Sequence, residues 1–133
     1  MVAVLRASTC LFFGALCLTP ALAQPASVLT SGEEQHLGRM KFEELVRALD
    51  AGEGRRIADL GAGEGAFSFA LARVVGERGA VVAVDINESS LKRLQKRVAD
   101  GAIRNVEVVA GAEDDPHLEA GSLDAVLLVI TYH

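Results

Sequence analysis

The sequence predicts a doubly wound α/β domain on a mostly parallel sheet. Three observations carry that prediction. Short apolar or β-branched runs alternate with segments that are apolar at helical spacing. Two of the runs, "AVVAVDI" (80–86) and "LDAVLLVI" (123–130), are nearly continuous in apolar residues, the mark of strands buried on both faces. Glycine or asparagine punctuates almost every junction between them. Strand, helix, strand, helix, strand, loop, strand implies right-handed crossovers. The four predicted strands then lie in the order 3-2-1-4.

The elements follow in turn. Residues 24–32, "QPASVLTSG", are small and polar and read as a flexible leader to a domain over 33–133. From Glu33 to Asp50 the pattern is helical, with Leu37, Met40, Leu45 and Leu49 near one face. "AGEG" (51–54) stops it, and "RRIADL" (55–60) is the first strand. "GAFSFALARVV" (65–75) is helical and halts at Gly76. After the second strand, Asn87 is a helix N-cap, and Asp100-Gly101 close that helix. Its basic cluster, Lys92, Arg93, Lys96 and Arg97, reads as a solvated outer face. "NVEVVA" is the third strand, "AEDDPHLEAGS" a loop, and 123–130 the fourth strand.

A chain of 133 residues holds one domain and not two. The formal net charge of −5 gives no sign of a nucleic-acid partner, which would require a basic face. The first residues are separate in character. Arg6, an apolar stretch over 10–18, Pro20 and Ala21-Leu22-Ala23 compose a secretory signal over 1–23, cleaved before Gln24. The stretch is too short to span a bilayer, so no stable membrane anchor is expected after cleavage. The bulky Leu16 disfavours lipid attachment at Cys17. The protein is expected to be exported, periplasmic or secreted, or cytoplasmic if the signal is not used. Cys10 and Cys17 leave with the signal, so no disulfide or thiolate metal site is expected. His36, His117 and His133 form no metal-ligand pattern. The chain stops at His133, just after the fourth strand. That predicts a shortened form of a longer domain, incomplete at one edge. The bare strand edge there invites self-association.

The chemistry concentrates in "IADLGAGEGA". In an open α/β sheet, ligands bind beyond the carboxyl ends of the strands, where Gly61, Gly63 and Gly65 follow the first strand. Glycines let backbone approach a ligand closely, and the next helix presents unpaired N–H groups there. The run also fits the relaxed dinucleotide fingerprint, and Asp85, ending the second strand, suits a ribose in either class. Charge separates the two. A pyrophosphate would be repelled by Asp59 and Glu64, whereas S-adenosylmethionine carries an ammonium and a sulfonium and no phosphate.

These residues, with "VVAVDI", "VVAGAEDDP" and "GSLDAVLLV" in order, resemble the class I S-adenosylmethionine-dependent methyltransferases, which have a Rossmann-like fold. The resemblance spans about residues 33–133. It implies that Asp59 holds the methionine ammonium and that Gly61, Ala62, Gly63 and Gly65 flank the methionine part. It also implies that Asp85 takes the ribose diol and Ile86 packs on the adenine. The family commonly has an aspartate after the glycine that follows its third strand. This chain has Ala112, with Glu113 or Asp114 as substitutes near the adenine amino group. The terminal "LLVITYH" resembles a family segment ending Asn-Thr-Tyr-His, with Ile130 at the asparagine place. The implied reaction is in-line methyl transfer to an unidentified acceptor, with no catalytic base legible. A binding-only or inactive domain and an NAD-dependent oxidoreductase are the alternatives.

Overall fold

The structure is a computed structural model that describes the backbone of residues 2–6 and all of residues 28–129. The signal cleavage point, Cys10 and Cys17, and Ile130, Tyr132 and His133 lie outside the described residues. In chain order the elements are β1 (Val2–Arg6), α1 (Ser31–Arg39), α2 (Phe42–Leu49), β2 (Arg56–Leu60), α3 (Ala66–Val75), β3 (Ala80–Asp85), α4 (Glu88–Asp100), β4 (Val106–Ala110) and β5 (Ala125–Val129).

The sheet runs β1-β5-β2-β3-β4. Its β4-β3-β2-β5 part is parallel and is the 3-2-1-4 order expected of the four predicted strands. The sheet stays open, but the edge of β5 is not bare. Val2–Arg6 pairs with it antiparallel, Val2 opposite Val129 and Arg6 opposite Ala125. A stretch read as the start of a removable leader thus covers the edge expected to invite a second copy.

Burial follows the strand runs. Ile57, Val81, Ala83 and Leu127 are fully buried on one face, with Leu71, Val75 and Leu94 packed over them from α3 and α4. Leu37 of α1 and Leu45 and Leu49 of α2 join the same cluster. The other face buries Ala58, Val82 and Val84 against Leu118 and Leu123 of the loop before β5. Among the described residues, all four helices therefore pack toward one face, and loop covers the other.

Two boundaries differ from expectation. The flexible leader over 24–32 ends earlier. Thr30 caps α1 in a capping box, accepting from Glu33 N at 3.3 Å while Glu33 Oε2 accepts from Thr30 N at 2.7 Å. Leu29 is already in the core. The single helix expected over 33–50 is two. Lys41 adopts a left-handed conformation, φ 54°, and the chain restarts as α2. The left-handed position itself is not a glycine, although Gly38 lies in the last turn of α1 and its carbonyl accepts from Lys41 N at 3.2 Å.

At the amino ends of the strands, Asp124 ties β5 to β2. Its carboxylate accepts from Arg56 N at 2.8 Å and from the Arg55 guanidinium at 3.1 Å. The carboxyl ends are left to the site.

Candidate functional site

The turn after β2 is built by backbone. Gly61 N and Ala62 N both donate to Val84 O, at 2.8 and 3.0 Å, pinning the turn to the end of β3. Gly65 N donates to Ala62 O at 2.9 Å and opens α3. Gly61, Gly63 and Gly65 all have positive φ. At Gly65 (φ +92°) a Cβ would also collide with Leu94 Cδ1 and lie 2.9 Å from Phe69 Cε2. Conformation and close helix packing both require glycine there. Ala62 is buried beneath the turn.

Two acids stand on adjacent strands around this turn. Asp59, one residue from the end of β2, is 2 % exposed. It accepts from Ser68 Oγ at 2.6 Å and also from the Ser68 backbone N–H. Burial pushes its carboxyl up to about 6, opposed by the Ser68 hydroxyl and reinforced by the charge of Asp85. Asp85, at the end of β3, aims at the turn: its Oδ2 accepts from Gly63 N at 2.7 Å and its Oδ1 from Asn87 N at 2.8 Å. The glycine amide and the second acid, 22 positions apart in sequence, meet directly.

Glu64 does not belong to that acidic pair. Its carboxylate faces Arg93 of α4 at 2.8 Å, and both side chains are more than half exposed. The charge argument against a pyrophosphate therefore rests on Asp59, since Asp85 suits a ribose in either class. The solvated basic face expected of α4 is likewise corrected at Arg97. Its guanidinium is directed inward, donating to Glu64 O at 2.7 Å, to Val28 O at 2.7 Å and to both oxygens of Glu33 at 2.7 and 2.9 Å. It also stacks over Phe69, 4.7 Å from the ring centroid. Burial alone would raise Glu33; the Arg97 guanidinium and the backbone and hydroxyl of Thr30 together outweigh it and hold that carboxyl at about 2. Arg93 and Arg97, one helical turn apart, thus bracket the glycine turn from α4.

The other end of the site is looser. Ile86 is 60 % exposed, a large apolar side chain standing beside Asp85 in the open. Glu113 and Asp114 lie in the exposed turn after β4. Among the described residues neither forms a hydrogen bond or ion pair. Asp115 is used locally, accepting from His117 N at 2.8 Å, while the His117 ring meets Ala110 O at 2.8 Å.

Residues 57–133 match the methyltransferase domain family model, more than half of the chain. The chain belongs to that family. Over 74 residues it is 45 % identical to the ubiquinone/menaquinone biosynthesis C-methyltransferase UbiE of Photorhabdus laumondii subsp. laumondii, covering 52 % of this chain and 30 % of the relative. Over 82 residues it is 35 % identical to the nocamycin O-methyltransferase of Saccharothrix syringae, covering 62 % of this chain and 29 % of that one. Among solved structures, a SAM-dependent methyltransferase from Aquifex aeolicus superposes with a TM-score of 0.52 at 27 % identity, over 63 % of this chain and 47 % of that one. This chain therefore spans under a third of either curated relative.

The cofactor implied by this family is S-adenosylmethionine, and the residues fit it. The buried carboxylate of Asp59 suits a cation, the glycine turn leaves room for a ligand's main chain, and Asp85 suits vicinal hydroxyls. Among the described residues no group of three His, Cys, Asp or Glu is arranged to hold a metal ion.

Ser68 and Arg97 escaped the sequence reading. A signal for Ser68 was present: it is the one hydroxyl in "AFSFALARVV", a helix otherwise apolar but for Arg73. Arg97 carried no local signal, since Glu33 and Val28 lie more than sixty positions away.

Proposed function

We propose that this chain binds S-adenosylmethionine at the β2–α3 turn and transfers its methyl group in line to an acceptor. The observation that carries the reading is the juxtaposition of Asp59 and Asp85 around a turn with no side chains of its own at Gly61, Gly63 and Gly65. When bound, the donor supplies an already activated methyl group on a sulfonium, a good leaving group. What remains for the protein is alignment and exclusion of water, which contribute a large part of the barrier reduction in such reactions.

Each residue has a part in that alignment. Asp59 pairs with the ammonium of the methionine part, and burial strengthens the pairing because little water competes. The turn backbone packs along the same part. Asp85 exchanges its bond to Gly63 N for, or shares it with, the ribose hydroxyls. Ile86 gives the adenine an apolar face, and Glu113 or Asp114 accepts from its amino group. No side chain in the site is assigned to remove a proton from the acceptor.

C-methylation and O-methylation are the chemistries named for the two curated relatives, and a carbon or oxygen nucleophile is the acceptor class we infer here. Incubation with methyl-labelled donor and a panel of enolates, phenols and carboxylates tests this. Label in a product, lost with Asp85→Ala, supports it; stable donor binding with no transfer to any acceptor leaves a binding domain.

Residues 1–23 are inferred to direct export. Their removal would take β1 from the edge of β5, and association of two copies through that edge is the expected result. Fractionation of a tagged chain tests the first statement. The sedimentation of residues 24–133 against the full chain tests the second.

A further inference from the structure

We propose that Ser68 is a positioning residue for the methyl donor: by donating to Asp59 it keeps a buried carboxylate aimed and charged as the counter-ion of the donor's ammonium. The inference rests on the donor-binding reading above and goes beyond the motif, which ends at Gly65.

Ser68 is 0 % exposed in a helix that packs apolar residues on nearly every side. A hydroxyl in such a place is costly without a partner. Its partner is Asp59 Oδ2, at the short distance of a charge-assisted bond, 2.6 Å. The surroundings of Asp59 otherwise favour its neutral form. Burial opposes the charge, and the charged group facing it from the adjacent strand is a second acid, Asp85. The countering contributions both come from Ser68, its hydroxyl and its backbone N–H. Only the hydroxyl can be removed by substitution. Without it Asp59 titrates closer to neutrality and also loses the contact that fixes its rotamer. A neutral carboxyl cannot pair with an ammonium in the same way, and the turn of the site toward a cation is lost.

A merely structural hydroxyl would change stability and nothing else. The two roles separate by pH and by ligand. The full chain, its Ser68→Ala form and its Ser68→Thr form are titrated calorimetrically with S-adenosylmethionine and with 5′-methylthioadenosine, which lacks the amino-acid part, between about pH 6 and 9. The donor's own ammonium titrates identically in all three, so the ratio of variant to native affinity isolates Asp59. In ligand-free protein, carboxyl carbon NMR follows Asp59 directly.

The expected result is a loss of about tenfold in donor affinity for Ser68→Ala near pH 7, shrinking toward pH 9. Binding of 5′-methylthioadenosine is unchanged, Ser68→Thr restores the native profile, and the Asp59 midpoint rises in Ser68→Ala. An equal loss for both ligands at every pH, or an Asp59 midpoint that does not move, overturns the inference while leaving donor binding intact. Failure of the native chain to bind the donor, with the Asp59 midpoint still shifted by Ser68→Ala, overturns the functional reading and leaves Ser68 as the group that sets the charge of Asp59. If Ser68→Ala does not fold, Ser68→Cys, a weaker donor of similar size, is expected to give a smaller shift of the same sign.

Discussion

The two ends of the site are built differently. At the end proposed to take the methionine part, every group is held. The turn is pinned to Val84 O, Asp59 is bound by Ser68, and Arg93 and Arg97 grip Glu64 by side chain and carbonyl. At the end proposed for the adenine, Ile86 stands exposed and Glu113 and Asp114 form no hydrogen bond or ion pair among the described residues. The difference teaches where binding energy and selectivity are expected to reside. A group already fixed in place loses little freedom when a ligand arrives, whereas an exposed loop side chain must be ordered first. Recognition of the charged methionine part should therefore dominate, with adenine contacts adding modestly.

The largest effect that would break this comparison is at Asp59. Asp59→Asn should weaken donor binding roughly 100-fold, the scale of a lost charge-assisted contact. The same change should stabilise the ligand-free protein by about 2 kcal/mol at neutral pH, because it removes a charge that burial penalises. Calorimetry and thermal unfolding measured together check the opposite signs; a loss of both affinity and stability would mean that Asp59 is a structural cap. Asp85→Ala should cost roughly 10- to 100-fold in donor affinity, with the release of Gly63 N loosening the turn.

Next in size is the clamp. Arg97→Gln abandons Glu33, Val28 and the carbonyl of Glu64 at once and should destabilise the fold by roughly 2–4 kcal/mol, seen as a lower urea midpoint. Arg93→Gln, which breaks only an exposed pair, should cost under about 1 kcal/mol. Equal effects from the two arginines would show that the bracket does not depend on the buried one.

The smallest effects are expected at the end proposed for the adenine. Ile86→Ala should weaken donor binding by roughly 3- to 10-fold through lost apolar contact. Glu113→Gln and Asp114→Asn should each change it by less than about 3-fold. A larger loss at either acid than at Ile86 would move the weight of recognition toward the β4 turn.

Two acids sharpen the contrast through pH. Against its burial, Glu33 is held at about 2 by Arg97 and Thr30 together, below its ordinary 4.5, so it contributes stability above about pH 4.5 that fades as pH falls toward 2. Asp59 is raised from 3.8 to about 6, so the folded state binds the extra proton between those values, and its contribution declines as pH rises through that window. Unfolding midpoints should therefore rise from about pH 2 to 4.5. Asp59→Asn should remove a decline between about pH 4 and 6, and Glu33→Gln should remove the rise. One acid is paired with a cation of its own protein; the other accepts from the neutral Ser68 and faces a second acid, Asp85.

Much of this was legible in the residues. β-branched runs and glycine punctuation marked the strands of the parallel sheet, and Asn87 marked a helix start that its side chain indeed caps, accepting from Ser90 N at 3.0 Å. The glycine turn was legible because its positive φ angles demand glycine at fixed spacing; of the acids read beside it, Asp59 and Asp85 stand at the turn and Glu64 turns to Arg93. What escaped was set by partners distant in sequence. The direction of Arg97 depends on Glu33 and Val28, which a helical pattern cannot reveal. The left-handed position at Lys41 is not itself a glycine that would announce it. Pairing of Val2–Arg6 with β5 was hidden because the same residues read as a leader.

The central claim is that the turn beyond β2 recognises a cationic adenosyl compound. The most direct measurement is calorimetric titration of the native chain near neutral pH with S-adenosylmethionine, with NAD, and with the donor against Asp59→Asn. Saturable one-to-one donor binding, lost in the variant and absent for NAD, is the predicted result. Binding of NAD with no heat from the donor would contradict it.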